Sequence, residues 1–242
     1  MRLALRIESR SLESDLVAGV LGDVGDVDVL NPWDERNCTE RYDLAVCLGP
    51  VSSCPRADRM VLLVMGPTHG HHEMGWDDVV VTSPRARSSA MRHFGHGVRV
   101  HLNPPPLLAM QAGRRRLMER KVEGLCASPS GPHENWPVIS MSLWSLPNEG
   151  EVPFSAMEFN SLCLNGAYGI YRYALDGYDI QVRRHLALGS PVLAPRDEEV
   201  TGDLAELCLE DFDGHSIPVD PVEDKVLVED YVGALEDIVR RK

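Results

Sequence analysis

The stretch DGYDIQVRRHLALGSPVLAP, residues 176–195, reads as one helix followed directly by one strand. Asp179 suits an N-cap, because its carboxylate accepts hydrogen bonds from the unpaired N–H groups of a first helical turn. Ile180, Val182, Leu186 and Leu188 supply apolar contacts whose spacing fits one helical face only loosely. Gly189 stands where a helix end tolerates positive φ, and Pro191 blocks any continuation. Val192-Leu193-Ala194 then suits a short strand buried on both faces. Such a unit is the building block of an α/β domain, and by itself it requires no ligand.

The same alternation runs through the first hundred residues. Residues 2–7 alternate as a strand, and Ser11 can cap a helix whose apolar positions Leu12, Leu16, Val17, Val20 and Leu21 recur at helical spacing. Short strands are expected over 27–30, 43–48, 60–65, 78–82 and 98–102, with a helix over 85–94 opened by Ser83. Nearly all-apolar strands alternating with helices predict parallel sheet covered on both faces. Asn103-Pro104-Pro105-Pro106-Leu107 breaks the pattern, since three prolines in a row join neither helix nor ladder. It reads as a linker between residues 1–103 and 104–242. Beyond it the sequence predicts a basic helix over 114–125, a Ser, Pro and Gly-rich loop over 128–137 and a strand over 138–143. Two apolar segments, 162–164 and 167–173, precede the opening stretch. Residues 229–241 carry Tyr231, Leu235, Ile238 and Val239 on one face, the mark of an amphipathic helix.

At 242 residues the chain can bury one large core or two small ones. Its net charge of −13 is unevenly spread, because residues 196–242 hold 15 acids and 5 bases. That acidity argues against non-specific nucleic-acid binding through bulk charge, while leaving room for a local basic groove. No apolar run reaches the length of a membrane span, and the first residues enter a strand pattern instead of a signal peptide. Six cysteines, without a C-x-x-C pair or regular spacing, read as reduced core or surface residues of a cytoplasmic protein. G-x-G-x-x-G, Walker and G-x-S-x-G signatures are absent from the sequence.

Four constellations could carry chemistry. Asp176-Gly177-Tyr178-Asp179-Ile180, followed by Gly189-Ser190-Pro191-Val192-Leu193-Ala194, resembles the donor-site motif of GT-B-fold glycosyltransferases, in particular the retaining group that uses nucleotide-diphosphate sugars. Three further segments resemble that family in order: Met65-Gly66-Pro67-Thr68-His69-Gly70-His71-His72 after an apolar strand, Asp77 to Arg85, and Val98 to Pro104. The resemblance implies two small Rossmann-like lobes with parallel sheets, an acceptor side in residues 1–103 and a donor side in 104–242. It implies transfer of a sugar from a nucleotide-diphosphate sugar, used as co-substrate without any metal or other cofactor. Asp176 would contact the sugar, and the N–H groups of Gly177, Tyr178, Asp179 and Ile180 would receive the diphosphate, as a helix N-terminus does. The family's second acid lies eight residues after the first; here that position is Arg184, whose guanidinium only donates and so suits a phosphate.

Arg114 to Lys121 form the second constellation, a basic segment that is either a solvated helix face or, through Arg114 and Lys121, a further neutralising group for the diphosphate. For His69, His71 and His72, three readings stand open: an active-site role near the acceptor, a metal site, or a solvated loop. Tyr168, Tyr171, Tyr173 and Tyr178 could stack on a sugar or base, though tyrosines at the edge of an α/β core are commoner. The acceptor is left open. DNA is one class, because some bacteriophage glycosyltransferases of this fold modify DNA bases; small molecules and proteins are others. The competing reading is a non-catalytic protein of the same fold that binds a nucleotide or a protein partner.

Overall fold

A computed structural model describes residues 1–7, 12–49, 54–64, 75–106, 125–128, 138–140, 167–170, 182–183, 186, 192–193, 202–208 and 228–241. Strand β1 (Arg2–Arg6) explains how the first sheet is organised. Leu3 and Leu5 point to one face, Ala4 and Arg6 to the other, and all four are 0 % exposed. A strand buried on both faces belongs in the middle of a covered parallel sheet. It does lie between β2 (Asp26–Leu30) and β3 (Arg41–Leu48), parallel to both. Strands β4 (Arg56–Leu63), β5 (Asp78–Val81) and β6 (Arg99–Leu102) extend the sheet outward, giving the order β2-β1-β3-β4-β5-β6 with every pairing parallel.

Helix α1 (Leu12–Gly22) carries the chain from β1 to β2. The return is tight: Gly25 sits where a Cβ would lie 2.3 Å from the Met1 carbonyl oxygen, so only glycine fits there. The chain then crosses back over β1 by way of the short helix α2 (Arg36–Thr39) and continues to β3. The winding therefore reverses between β1 and β3. Helix α3 (Pro84–Phe94) starts as its sequence predicts, with the Ser83 hydroxyl accepting from the Ala86 N–H at 3.2 Å and proline in the first turn. Its buried residues are alanines, Ala86 and Ala90, which let the helix lie close against the sheet.

One face of the sheet is covered by α1 and by α4 (Val228–Arg240). Tyr231, Leu235, Ile238 and Val239 of α4 join Leu3, Leu5, Val46 and Leu63 in a single apolar cluster. Full burial of a leucine such as Leu235 contributes about 1.5–3 kcal/mol, so this face is a principal source of stability. Residues of the opening stretch join the same layer: Val182 and Leu186 are helical, buried, and part of that cluster. So are Leu204 and Cys208, in and just after the 3-10 turn Gly202–Leu207. On the opposite face, Cys47, Leu62, Val79 and Val81 pack with Trp76 and α3.

A second sheet comprises β7 (Leu125–Ser128), β8 (Val138–Ser140), β9 (Ala167–Ile170) and β10 (Val192–Leu193), again all parallel, in the order β10-β9-β7-β8. Read from β8, this is the winding of the first sheet: the second strand outside the first, then the third and fourth on the other side. The parallel α/β architecture is as expected. Several elements differ from expectation. Leu125 opens a strand, where the basic helix was expected to end; β4 starts at Arg56, four residues early; and α2 and the 3-10 turn had no periodic signal because each is too short to show one.

Candidate functional site

In open parallel sheets, ligands bind beyond the carboxyl ends of the strands at the point where the winding reverses. In the first sheet that point lies between Arg6 at the end of β1 and Cys47-Leu48 at the end of β3. Arg6 and Cys47 are register partners, and both are 0 % exposed. Gly49 follows with φ 83°, the left-handed turn that ends β3, and its N–H donates to the Leu63 carbonyl at 3.1 Å. Cys54, on the far side of the β3–β4 connection, reaches back to this place. The Cys47 thiol donates to the Cys54 sulfur with the two Sγ atoms 3.9 Å apart. Both are reduced; Cys47 is buried and Cys54 partly exposed.

The electrostatics of the trio are asymmetric. A guanidinium stays charged, and taking it out of water costs several kcal/mol, so a fully buried Arg6 is an expensive placement at this edge. The hydrogen bond to Cys54 and burial together push the Cys47 thiol well above its ordinary value, against the opposing charge of Arg6. Accepting that hydrogen bond lowers Cys54, and the Arg6 charge adds to the effect, while burial works against it. The arrangement therefore presents one activated sulfur beside one protonated sulfur.

A different cluster occupies the amino edge of β5 and β6. Asp78, 0 % exposed, receives the Arg59 Nε–H at 3.1 Å and an Arg99 Nη at 3.0 Å, and lies 2.7 Å from His101 Nε2. Arg59 also donates to the carbonyls of Ile238 at 2.6 Å and Val239 at 3.3 Å, which ties the carboxyl end of α4 to the sheet. Burial alone would raise the Asp78 carboxyl; the hydrogen bonds from Arg59 and His101 outweigh it and hold it below the ordinary carboxylate value. This cluster is a structural anchor. It faces away from the carboxyl edge. Arg36, bonded to Asp34 and Asp28, and Arg2, paired with Asp28 and Glu40, form a similar network around α2 and the amino ends of β1 and β2.

The residues singled out in the sequence as site candidates, His69, His71, Arg114, Lys121, Asp176, Gly177, Tyr178, Asp179, Ile180 and Arg184, lie outside the described residues. Two flanking resemblances fall within them. Asp77 accepts the Met60 N–H at 2.8 Å and Asp78 anchors α4, so the acidic start of β5 is built for the fold. Asn103, after β6, is buried and donates from Nδ2 to the Tyr231 carbonyl at 3.2 Å, again holding α4. Arg6, Cys47 and Cys54 were not singled out as a site. The one signal for them was an arginine at an inward position of an otherwise apolar strand, Leu3-Ala4-Leu5-Arg6-Ile7. Among the described residues no group of three or more His, Cys, Asp or Glu could hold a metal ion, and no helix is long and apolar enough to cross a membrane. No protein-family model matches the sequence, and no curated protein is significantly similar to it.

Proposed function

We propose that the chain is a metal-independent glycosyltransferase of the GT-B type, with a nucleotide-diphosphate sugar held by residues 176–184 and the acceptor taken up against the carboxyl edge of the first sheet. The observation that carries this reading is the matched winding of two all-parallel sheets, one from residues 2–102 and one from 125–193. In the second sheet the winding reverses between β7 and β9. Asp176 begins six residues after Ile170, the last residue of β9, so the motif that resembles the donor site follows in sequence from the edge where such sheets bind ligands. The burial of Val182 and Leu186 in the core of the first sheet supports a donor segment seated next to the other half of the chain.

On this reading, Asp176 contacts the sugar and the N–H groups from Gly177 to Ile180 receive the diphosphate. Arg184, with Arg114 or Lys121, neutralises the charge that builds up on the departing phosphate. One of His69 and His71, which follow β4 in sequence, acts at the acceptor hydroxyl. The test is isothermal titration of the intact chain with UDP-, GDP- and ADP-sugars. Binding of one of them is expected, weakened about tenfold or more by Arg184→Ala, since a charge-assisted hydrogen bond contributes about 1.5–3 kcal/mol. Asp176→Ala should abolish turnover at intact folding. If none of these sugars binds, the reading is wrong. Nucleotide binding without turnover would favour the non-catalytic alternative, for which the replacement of the second acid by Arg184 is the motivating observation.

A further inference from the structure

The switch point of the first sheet contains chemistry that sugar transfer does not use. We propose that Cys47 and Cys54 form a reversible, hydroperoxide-reactive dithiol, with Cys54 as the attacking sulfur and Cys47 as the resolving one. This inference rests on the described residues of the first sheet and is independent of the donor-site reading.

Four features carry it. The two sulfurs already touch, 3.9 Å apart, and a disulfide requires them to close by only about 2 Å. Their burial differs in the direction the roles require: Cys54 is partly exposed to an incoming oxidant, whereas Cys47 is 0 % exposed and open to attack by nothing larger than its neighbour. Buried Arg6, register partner of Cys47, adds a fixed positive charge that favours a thiolate at both positions. Cys54 also precedes β4 in irregular backbone, so its Cα can shift without breaking a strand ladder.

The chemistry balances as follows. The Cys54 thiolate attacks one oxygen of a hydroperoxide; an S–O bond forms, the O–O bond breaks, and hydroxide (or alkoxide) leaves. Sulfur is oxidised and the peroxide reduced. Cys47 then attacks the Cys54 sulfenic acid; the S–S bond forms, the S–O bond breaks, and the departing oxygen leaves as water with the proton that Cys47 held in its hydrogen bond to Cys54. An external thiol reduces the disulfide and closes the cycle. The bond fastens the β3–β4 connection to the end of β3 beside Arg6, so oxidation alters the carboxyl edge where the sheet reverses.

The experiment uses the intact chain and hydrogen peroxide. Trypsin leaves both cysteines on one peptide, residues 42–56, so the disulfide appears as an internally looped peptide that has lost two hydrogens and resists alkylation. It should form in the folded chain about tenfold or more faster than in the same chain unfolded in urea, because folding holds the sulfurs in contact. Dithiothreitol should reverse it. In Cys47→Ser, Cys54 should accumulate as a sulfenic acid trapped by dimedone. The proposal is overturned if Cys54 of the wild-type chain runs on to sulfinic acid while Cys47 remains alkylatable. It is equally overturned if both stay alkylatable while exposed Cys38 is oxidised, or if folding gives no acceleration. The wild-type measurements decide the matter even if the serine variant does not fold.

Discussion

Replacing Arg59 by methionine isolates the anchor between α4 and the first sheet. The apolar stem is kept, so packing along the side chain survives while every donor is lost. Two quantities combine. Asp78 loses one of its three side-chain partners and keeps Arg99 and His101, so the cost is that of charged hydrogen bonds, about 1.5–3 kcal/mol. It does not reach the about 3–5 kcal/mol expected when a buried charge is stranded alone. The carbonyls of Ile238 and Val239 lose their donor at the end of α4, which adds about 0.5–1.5 kcal/mol. The sum, about 3 kcal/mol, corresponds to a fall in Tm of about 6–12 °C for a chain of this size. Thermal unfolding measures the total, and hydrogen exchange of peptides from residues 228–240 measures the local part. Arg59→Lys, which keeps the charge but loses the fork, should recover roughly half. A methionine variant within about 2 °C of wild type, with α4 equally protected, would show that Arg59 does not anchor the helix.

Four further outcomes follow from the same contacts. The Asp78 carboxyl is held below its ordinary value in the folded chain, so its stabilisation is complete above the ordinary carboxylate pKa and is lost as pH falls from there through the depressed value; urea midpoints should drop over that acid window less steeply in Asp78→Asn than in wild type. Leu235→Ala, at a 0 % exposed position of α4, should cost about 2–5 kcal/mol by denaturant unfolding. Leu186→Ala should cost about 2–4 kcal/mol by the same assay, and a neutral result would mean that the segment after Asp179 is not seated in the core of the first sheet. Because Cys54 is lowered by its hydrogen bond from Cys47 and by Arg6, its alkylation should reach half-maximal rate below the pH of an ordinary thiol, and Cys47→Ala should move that midpoint upward.

What was legible in the sequence was local. The alternation of Leu3, Ala4, Leu5 and Arg6, the Ser83-Pro84 start of α3 and the apolar face of α4 each lie within a few residues of one another, so short-range sterics and periodicity encode them. The parallel α/β character followed, because strands apolar on both faces need covering on both. What only the tertiary structure decided was which strand neighbours which. Reversal of the winding at β1 brings Arg6 beside Cys47, 41 positions away, and Cys54 meets them only once β3 and β4 have paired in register. Likewise Asp78, Arg59 and the end of α4 are separated by as many as 180 positions, and no periodic pattern joins them. Periodicity records whether a residue is buried. Its partners are set by long-range pairing, which only the folded chain resolves.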